Sequence, residues 1–371
     1  MNINPRMLVN SKGKLLHDVF VPLPLQEIEK KIVFDIDVLT LLMEANEAIT
    51  RLHYAYQGTD PYLREYFYDY CLKKETLASL LISGNNLTLE NFYTADLGSA
   101  ADIGYRFYQV AKAAAEETGK LNNDFLKNLH RRIVNDKNAR PGHYRIGRMM
   151  IYTYYRHNRY NPPFDEELES SMNALEEYIN RTANTNYLIK AALVHYQLTT
   201  IHPFHDGNDR LARLFNMLYL KRSNPCGPHC FYMSNYFAAN LSEYYDALTA
   251  VRSHGHFQGW VEYYLKAITA TSNHMRNIID FSLTLLKRNH RRILETPHSN
   301  TIKNNLISAL EYMVFNPVTT VNRLSEIQNK SFPAAARNAK LLAEMGILET
   351  AGFCARSRLY VYREQLDILR D

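Results

Sequence analysis

The stretch that decides the fold is His202-Pro-Phe-His-Asp-Gly-Asn-Asp-Arg-Leu-Ala-Arg213, which separates two helical patterns. Residues 187–200, before it, place apolar side chains at helical spacing, and Pro203 disfavours continuation of that helix because proline lacks an amide donor. After Gly207, a run of strong helix formers resumes the helical period from Arg210. The sequence therefore predicts a tight loop between two helices, with the first helix ending near His202.

The residue types in this loop are suited to binding phosphate. Backbone amides of residues 207–209 are expected to lie unpaired at a helix N-terminus, where the helix dipole favours an anion. Arg210 and Arg213 are three residues apart, so they share one helix face and can reach the same ligand. Asp206 offers an oxygen that suits a magnesium ion (Mg²⁺) bridging phosphates, and His202 can accept a hydroxyl proton near neutral pH.

The stretch resembles the signature of the Fic family, His-x-Phe-x-(Asp/Glu)-Gly-Asn-(Gly/Lys)-Arg-x-x-Arg. The resemblance implies a mainly α fold, a Fic-type helical bundle with a small β-hairpin called the flap. It also implies a protein adenylyltransferase, or AMPylator, which uses ATP and Mg²⁺ to transfer AMP to a Ser, Thr or Tyr hydroxyl of a target protein. On this resemblance the catalytic base is His202, the metal ligand is Asp206, and the nucleotide-binding residues are Gly207, Asn208, Asp209, Arg210 and Arg213.

One position departs from the signature, because Asp209 stands where glycine or lysine is usual. A carboxylate beside a triphosphate is repulsive unless a metal or an arginine neutralises it. Three alternatives stay open: a phosphotransferase that uses the same loop with lysine at this position, an enzyme that removes AMP with water directed by an acidic residue, and a DNA-binding regulator with a degenerate Fic body.

Ahead of the signature, residues 140–163 are rich in tyrosine and are interrupted by turn residues, which predicts a short β-hairpin closed by Pro162-Pro163. The resemblance assigns this hairpin to the flap, whose exposed edge would pair with an extended target segment. A purely structural hairpin is the alternative. The residues expected to dock the target are Arg148, Met149, Met150, Ile151 and Tyr152.

A second motif resembles the inhibitory helix of the family, Ser/Thr-x-x-x-Glu-Gly/Asn, placed upstream of the catalytic core as in one class of Fic proteins. Ser79-Leu-Leu-Ile-Ser-Gly84 keeps the frame at Ser79 and Gly84, but Ser83 occupies the glutamate position. A neutral hydroxyl cannot form a charge-assisted, bidentate contact with guanidinium, so Arg213 is expected to remain free for ATP. The alternative is an ordinary helix end.

Composition indicates a folded globular protein, with 371 residues, 46% hydrophobic content and a net charge of +5. The four cysteines and the absence of a signal-peptide pattern predict a reducing compartment, the cytoplasm. No apolar run reaches the roughly 18 residues that span a bilayer, so no membrane partner is expected. Cys226 and Cys230 are interpreted as incidental, since Cys71 and Cys354 supply no second ligand pair for a metal. A homodimer stays open.

Three domains are predicted: residues 1–118 as an N-terminal helical region, 119–272 as the Fic core, and 273–371 as a linker helix with a winged helix-turn-helix. Residues 1–34 are interpreted as irregular, with an extended arm at 21–25. Periodicity predicts further helices over 36–56, 63–82, 87–93, 100–117, 124–134, 236–251, 258–272 and 275–294.

The C-terminal pattern is a helix over 302–314, a helix-turn-helix over 319–345, and two β-like runs. This order resembles a winged helix, a module at the C-terminus of many Fic proteins, where it binds DNA or docks another protein. Both uses stay open because the basic surface is small. The side chains that could meet DNA phosphates are Arg337, Lys340, Arg356 and Arg358.

Overall fold

The computed structural model describes residues 6–9, 15–95, 103–153, 158–181, 185–223, 231–354 and 357–370. Helices dominate these residues, and three small antiparallel sheets accompany them. This mainly helical architecture confirms the predicted fold class. No helix in the described ranges has both the length and the hydropathy that crossing a membrane requires.

The N-terminal segment is more regular than the sequence suggests, so the prediction of an irregular region over 1–34 is partly wrong. The backbone of the arm is fixed by pairing, since the Phe20 amide donates to the Asn161 carbonyl at 2.8 Å and Gln197 Nε2 donates to the Leu23 carbonyl at 3.0 Å. The arm therefore packs on the body through these backbone contacts. Its elements are β1 (Arg6–Val9), β2 (Leu15–Val19) and α1 (Leu25–Glu29).

The predicted N-terminal helices are present, with ends shifted by a few residues. Two begin at side-chain caps: Asp35 accepts from the Val38 amide at 3.0 Å, and Asn122 accepts from the Phe125 amide at 2.9 Å. One helix, α3, lies deep in the core, because every residue from Tyr70 to Leu80 is buried. The bounds are α2 (Ile36–Gln57), α3 (Pro61–Ile82), α4 (Leu89–Ala95), α5 (Ile103–Glu116) and α6 (Asn123–Ile133).

The predicted hairpin is confirmed, and its strands are followed by a helix that was not predicted from the sequence. That helix, α7, starts directly after Pro162-Pro163 with three acidic residues in its first turn, a composition that complements the helix dipole. The next helix is buried from Leu188 to Ile201 and forms the centre of the core. The bounds are β3 (Ile151–Thr153), β4 (Asn158–Tyr160), α7 (Asp165–Asn180), α8 (Tyr187–Ile201) and α9 (Asn208–Ser223).

Two periodic stretches that predict separate helices, 258–272 and 275–294, form one continuous helix of 38 residues, α12 (Phe257–Leu294). The domain boundary predicted after residue 272 therefore falls inside a helix. The stretch 236–251 is instead divided at Asn240 into α10 (Ser234–Ala239) and α11 (Leu241–His254). Cys226 and Cys230 lie outside the described residues.

The C-terminal elements follow the predicted order of helix, helix-turn-helix and hairpin. A short strand precedes the second helix and completes a sheet with the strand order β5-β7-β6. Arg337, Lys340 and Arg358 are exposed, whereas Arg356 lies outside the described residues. The bounds are α13 (Asn300–Met313), β5 (Val318–Thr320), α14 (Val321–Gln328), α15 (Phe332–Glu344), β6 (Glu349–Cys354), β7 (Ser357–Val361) and α16 (Arg363–Arg370).

These C-terminal elements are docked on α3 through buried polar contacts. Tyr70 donates to the Leu369 carbonyl at 3.1 Å, and Lys74 Nζ donates to the carbonyls of Leu369 and Arg370 at 3.2 and 3.1 Å. A buried ammonium needs such acceptors, and the last carbonyls of a helix supply them along with a favourable dipole. The module is thereby fixed to the helix that carries Ser79 and is followed by Ser83.

Candidate active site

The predicted loop between two helices is confirmed, and two left-handed residues form its turn. His202 ends α8 with φ 51° and ψ 60°, and Gly207 has φ 77° immediately before α9. A Cβ atom at Gly207 would lie 2.7 Å from Val134 Cγ2, closer than such contacts occur. Glycine is therefore required at this position for both its backbone angle and its lack of a side chain.

Asn208 closes the loop by binding the backbone of Phe204 at both ends of its amide group. The Phe204 amide donates to Asn208 Oδ1 at 2.8 Å, and Asn208 Nδ2 donates to the Phe204 carbonyl at 2.7 Å. The side chain is thus engaged in the loop and is only 2% exposed, so it fixes the loop geometry. The assignment of Asn208 to nucleotide binding remains a prediction.

His130, on α6, supports the loop and was not recognised from the sequence. Its ring stacks on Phe204 with centroids 3.8 Å apart and an angle of 8°. The Gly142 amide donates to His130 Nδ1 at 2.9 Å, so Nε2 carries the proton and donates to the Asp206 carbonyl at 2.8 Å. Desolvation lowers the pKa of His130, which keeps the ring in the neutral form that this pattern requires.

Arg145 joins the loop to the base of the hairpin and was also missed. Its Nε donates to the His202 carbonyl at 2.9 Å and its Nη1 to the Gly147 carbonyl at 3.0 Å, while Nη2 donates to the Pro163 carbonyl. Desolvation lowers the pKa of Arg145 to about 10, so the guanidinium stays charged at neutral pH. An arginine within a tyrosine-rich segment gives no sequence signal for this structural role.

His202 has the properties of a general base. Desolvation lowers the pKa of its imidazole, the Asp209 carboxylate opposes this, and the Arg145 guanidinium adds to the lowering. A neutral ring can accept a proton from a hydroxyl group. The hairpin lies close by, because Tyr160 of β4 donates to the Thr199 carbonyl at 3.2 Å.

The start of α9 has the geometry on which the predicted anion site depends. The Gly207 carbonyl accepts the first helical bond, from the Leu211 amide at 2.9 Å, so the amides of residues 207–209 precede the helical ladder. Arg210 forms an ion pair with Asp206 at 3.1 Å across this turn. The Asp206 side chain is 62% exposed and therefore accessible to a ligand. Among the described residues no cluster of three or more His, Cys, Asp or Glu could hold a metal alone.

Arg213 does not remain free, so that prediction is wrong. Its Nε donates to Ser79 Oγ at 2.9 Å, and its Nη2 donates to the Ser79 carbonyl at 2.8 Å and to Ser83 Oγ at 3.1 Å. The side chain is only 2% exposed, and Nη1 is buried without a partner among the described residues. The segment 79–84 therefore reaches the second signature arginine through neutral oxygens, and the two arginines of the signature contact different partners.

Glu75, one turn before Ser79 on α3, is a buried carboxyl group that the sequence did not single out. It accepts hydrogen bonds from the Ser234 amide at 3.0 Å and from Ser234 Oγ at 2.5 Å. Desolvation raises the pKa of Glu75 to about 7, although Ser234 and the Arg213 charge act in the opposite direction. The environment of Arg213 thus contains a carboxyl group that titrates near neutral pH.

The hairpin predicted to dock the target is present, with its first strand at Ile151–Thr153. Arg148, Met149 and Met150 precede that strand, and the Arg148 guanidinium lies over the Phe164 ring at 5.1 Å. Tyr244 and Trp260 are core residues, at 1% and 0% exposure. The target-docking role of the hairpin remains a prediction.

Residues 120–220 match the Fic/DOC family. The chain is 27% identical over 191 residues to protein adenylyltransferase fic-1 of Caenorhabditis elegans, covering 49% of this chain and 36% of that protein. It is 33% identical over 119 residues to protein adenylyltransferase Fic of Nematostella vectensis, covering 31% and 26%. The chain thus spans about a third or less of the length of these relatives.

Solved structures show the same fold. A Fic family protein from Desulfovibrio desulfuricans superposes with a TM-score of 0.57 at 20% identity, covering 89% of this chain and 97% of that one. A Fic domain containing signaling protein from Bacteroides thetaiotaomicron gives a TM-score of 0.50 at 17% identity, covering 66% and 95%. At these identities the likeness establishes the arrangement of helices.

Proposed function

Since this chain carries a Fic domain of the Fic/DOC family, we propose that it is a protein adenylyltransferase that transfers AMP from ATP to a hydroxyl side chain of a target protein. The observation that supports this most is the loop itself, in which His202 and the backbone amides of residues 207–209, at the start of α9, share one short turn. That turn combines a base for a hydroxyl nucleophile with an anion site for phosphates.

In the proposed reaction, the target hydroxyl oxygen attacks the α-phosphorus of ATP and the bond to the bridging oxygen of the β-phosphate breaks. Pyrophosphate leaves, and the hydroxyl proton passes to His202 Nε2 or Nδ1. The amides of residues 207–209 would stabilise the charge on the α-phosphate, and the Arg145 and Asn208 contacts would hold the loop in place. The protein's contribution is chiefly positioning and charge stabilisation.

We also propose that Asp206 binds the Mg²⁺ that accompanies ATP. Its carboxylate is exposed at the edge of the anion site, and its ion-pair partner Arg210 can move to a phosphate instead. Mg²⁺ is ordinarily held by one or two carboxylates together with phosphate oxygens and water, so a single protein carboxylate fits. The ion would neutralise phosphate charge.

The contact between Arg213 and the segment 79–84 supports a place for this chain in the class with an upstream inhibitory helix. Here Arg213 donates hydrogen bonds to uncharged oxygens and forms no ion pair with the segment. We therefore propose that the outer phosphates of ATP compete successfully with Ser79 and Ser83 for the guanidinium. The wild-type protein is then only weakly self-inhibited.

The C-terminal module is proposed to be a winged helix that uses exposed Arg337 and Lys340 to contact DNA phosphates or a protein. Retention of the intact protein on DNA at low salt, and its loss in the double variant Arg337→Ala with Lys340→Ala, would favour DNA. No retention at all would favour protein docking.

The transfer chemistry is tested with ATP labelled at the α or the γ phosphate, incubated with the protein and a cell lysate. Label transferred from the α position alone supports AMP transfer, whereas label from the γ position indicates a phosphotransferase. His202→Ala should remove the transferred label. Labelling that persists in this variant would contradict the assignment of the base.

A further inference from the structure

The hairpin that precedes the signature loop is closed at its base by a contact between Asp165 and Gly147. The Gly147 amide donates to Asp165 Oδ1 at 3.1 Å, across a separation of 18 residues. Gly147 lies just before β3, and Asp165 is the first residue of α7, shortly after β4. The contact thus joins the chain that enters the hairpin to the chain that leaves it.

Arg145 makes a second link across the same base and connects it to the catalytic loop. Its Nη1 and Nη2 donate to the carbonyls of Gly147 and Pro163, one on each side of the hairpin. Its Nε donates to the His202 carbonyl and its backbone amide to the Pro203 carbonyl, both at 2.9 Å. The base of the hairpin is therefore held at a defined position relative to His202.

The backbone of Asp165 has a conformation that the start of a helix does not require. Its φ is 47°, in the left-handed region, whereas helical residues have φ near about −63°. A residue with a side chain is uncommon in this region, and it persists where surrounding contacts compensate for the strain. The hydrogen bond from Gly147 is a compensating contact of this kind.

The helix dipole alone does not account for Asp165. A carboxylate anywhere in the first turn of a helix interacts favourably with the dipole, and Glu166 and Glu167 already supply two in α7. The dipole therefore does not require a third carboxylate on a strained backbone. What distinguishes Asp165 from its two neighbours is the bond to the hairpin.

The two sides of the hairpin differ in their other contacts. The leaving side is tied to the body, because Tyr160 donates to the Thr199 carbonyl and the Asn161 carbonyl accepts from Phe20. The entering side, residues 147–153, reaches that anchored side through short strands of three residues each. A two-stranded hairpin is only marginally stable by itself in water, so the entering side depends on the contacts at its base.

We propose that Asp165 is a positioning residue for AMP transfer, which holds Gly147 and so keeps the entering side of the hairpin where a docked hydroxyl meets His202. A hydroxyl must come within about 3 Å of its base, and a misplacement of about 1 Å costs on the order of 100-fold in rate. The catalytic consequence rests on the proposed transfer, whereas the anchoring contact does not and is measured separately.

Two substitutions separate the hydrogen bond from the backbone conformation. Asp165→Gly adopts the left-handed φ without strain but has no acceptor, whereas Asp165→Asn keeps an acceptor oxygen and tolerates that φ. Glu166→Gln is the control, because it removes a charge from the same helical turn and leaves the contact with Gly147 in place.

Hydrogen–deuterium exchange of the full chain without ATP, followed by mass spectrometry, measures the anchor. Peptides that cover residues 147–153 should exchange about tenfold faster in Asp165→Gly, and close to the wild-type rate in Asp165→Asn and Glu166→Gln. Unchanged exchange in Asp165→Gly overturns the proposal. An equally large increase in Asp165→Asn assigns the effect to the lost charge and also overturns it.

Self-modification with α-labelled ATP measures the catalytic consequence. In Asp165→Gly, kcat should fall about tenfold while the KM for ATP stays unchanged, and Asp165→Asn should restore kcat. Faster exchange without a loss of transfer overturns the positioning role. If the wild-type protein transfers no label, the proposed transfer fails and the positioning role fails with it, whereas the exchange result still decides whether Asp165 anchors the hairpin.

Discussion

The loop 202–209 leads into α9, and Arg213 lies about one turn further along that helix, where it contacts α3. The two regions differ in how their polar groups are paired. In the loop, Asn208 satisfies both backbone groups of Phe204 and His130 satisfies the Asp206 carbonyl. At the α3 contact, a buried guanidinium meets only neutral oxygens, and Nη1 lacks a partner among the described residues.

The part of the site that can respond to a ligand is the one with the weaker contacts. The contacts of Asn208 and His130 hold one arrangement of the loop, because a change would strand the buried groups that they pair. A guanidinium on neutral acceptors is held less strongly than one on a carboxylate, and a triphosphate offers it a better partner. We infer that the loop is preorganised and that the position of Arg213 depends on nucleotide.

The largest expected effect is at His202. His202→Ala should lower AMP transfer by about 10²–10⁴-fold, since the base is lost, while ATP binding measured by calorimetry stays close to wild type. Because His202 adopts a left-handed conformation, His202→Asn is the matched variant, as asparagine tolerates that region better than alanine. Near-normal turnover of the asparagine variant would exclude His202 as the base.

Ser83→Glu tests the contact between Arg213 and the segment 79–84, the region in which the guanidinium has only uncharged acceptors. A carboxylate at this position would give Arg213 an ionic partner and should weaken ATP binding about tenfold and reduce self-modification in parallel. Ser83→Gln is the control, since it adds similar length without charge. If the glutamate variant bound ATP and modified itself like wild type, the contact between Arg213 and the segment 79–84 would not regulate the enzyme.

Glu75 gives the α3 contact a pH dependence. Its folded pKa of about 7 lies above the ordinary value of 4.5, so the penalty for ionising the buried carboxyl group is absent below pH 4.5, grows as the pH rises towards 7 and levels off above that. Glu75→Gln should remove a penalty of at most about 3 kcal/mol, because each pKa unit corresponds to about 1.4 kcal/mol.

The measurement is the melting temperature of wild type and Glu75→Gln between pH 5 and pH 8. The variant should gain stability relative to wild type as the pH rises, with the difference largest at pH 8. A difference that is constant across this range would mean that Glu75 does not titrate there.

The sequence predicted the loop well because its determinants are local: a proline, a glycine and two helical periods specify it within twelve residues. His130, Arg145 and Glu75 were missed because their roles come from tertiary contacts with residues far along the chain. The freedom of Arg213 was misjudged for a related reason. Charge matching argued against a contact with Ser83, whereas helix packing supplied neutral acceptors at the right distance.

The smallest expected effect concerns Asp209, the residue by which this loop departs from the family signature. Its carboxylate lies in the first turn of α9, where its negative charge interacts favourably with the helix dipole but repels a triphosphate. Asp209→Gly should tighten ATP binding a few-fold in calorimetry with Mg²⁺. Asp209→Asn is the better-matched variant, since it removes the charge without placing glycine in a helix.

The same substitution has a kinetic signature, because the Asp209 carboxylate raises the pKa of His202. Without it the imidazole should stay neutral to lower pH, so the acidic limb of the kcat/KM profile of Asp209→Asn should move to lower pH. If the acidic limb did not shift, the Asp209 charge would have no effect on the pKa of the base. Weaker ATP binding, in contrast, would assign Asp209 to the metal, and the loop would then offer Mg²⁺ a second carboxylate beside Asp206.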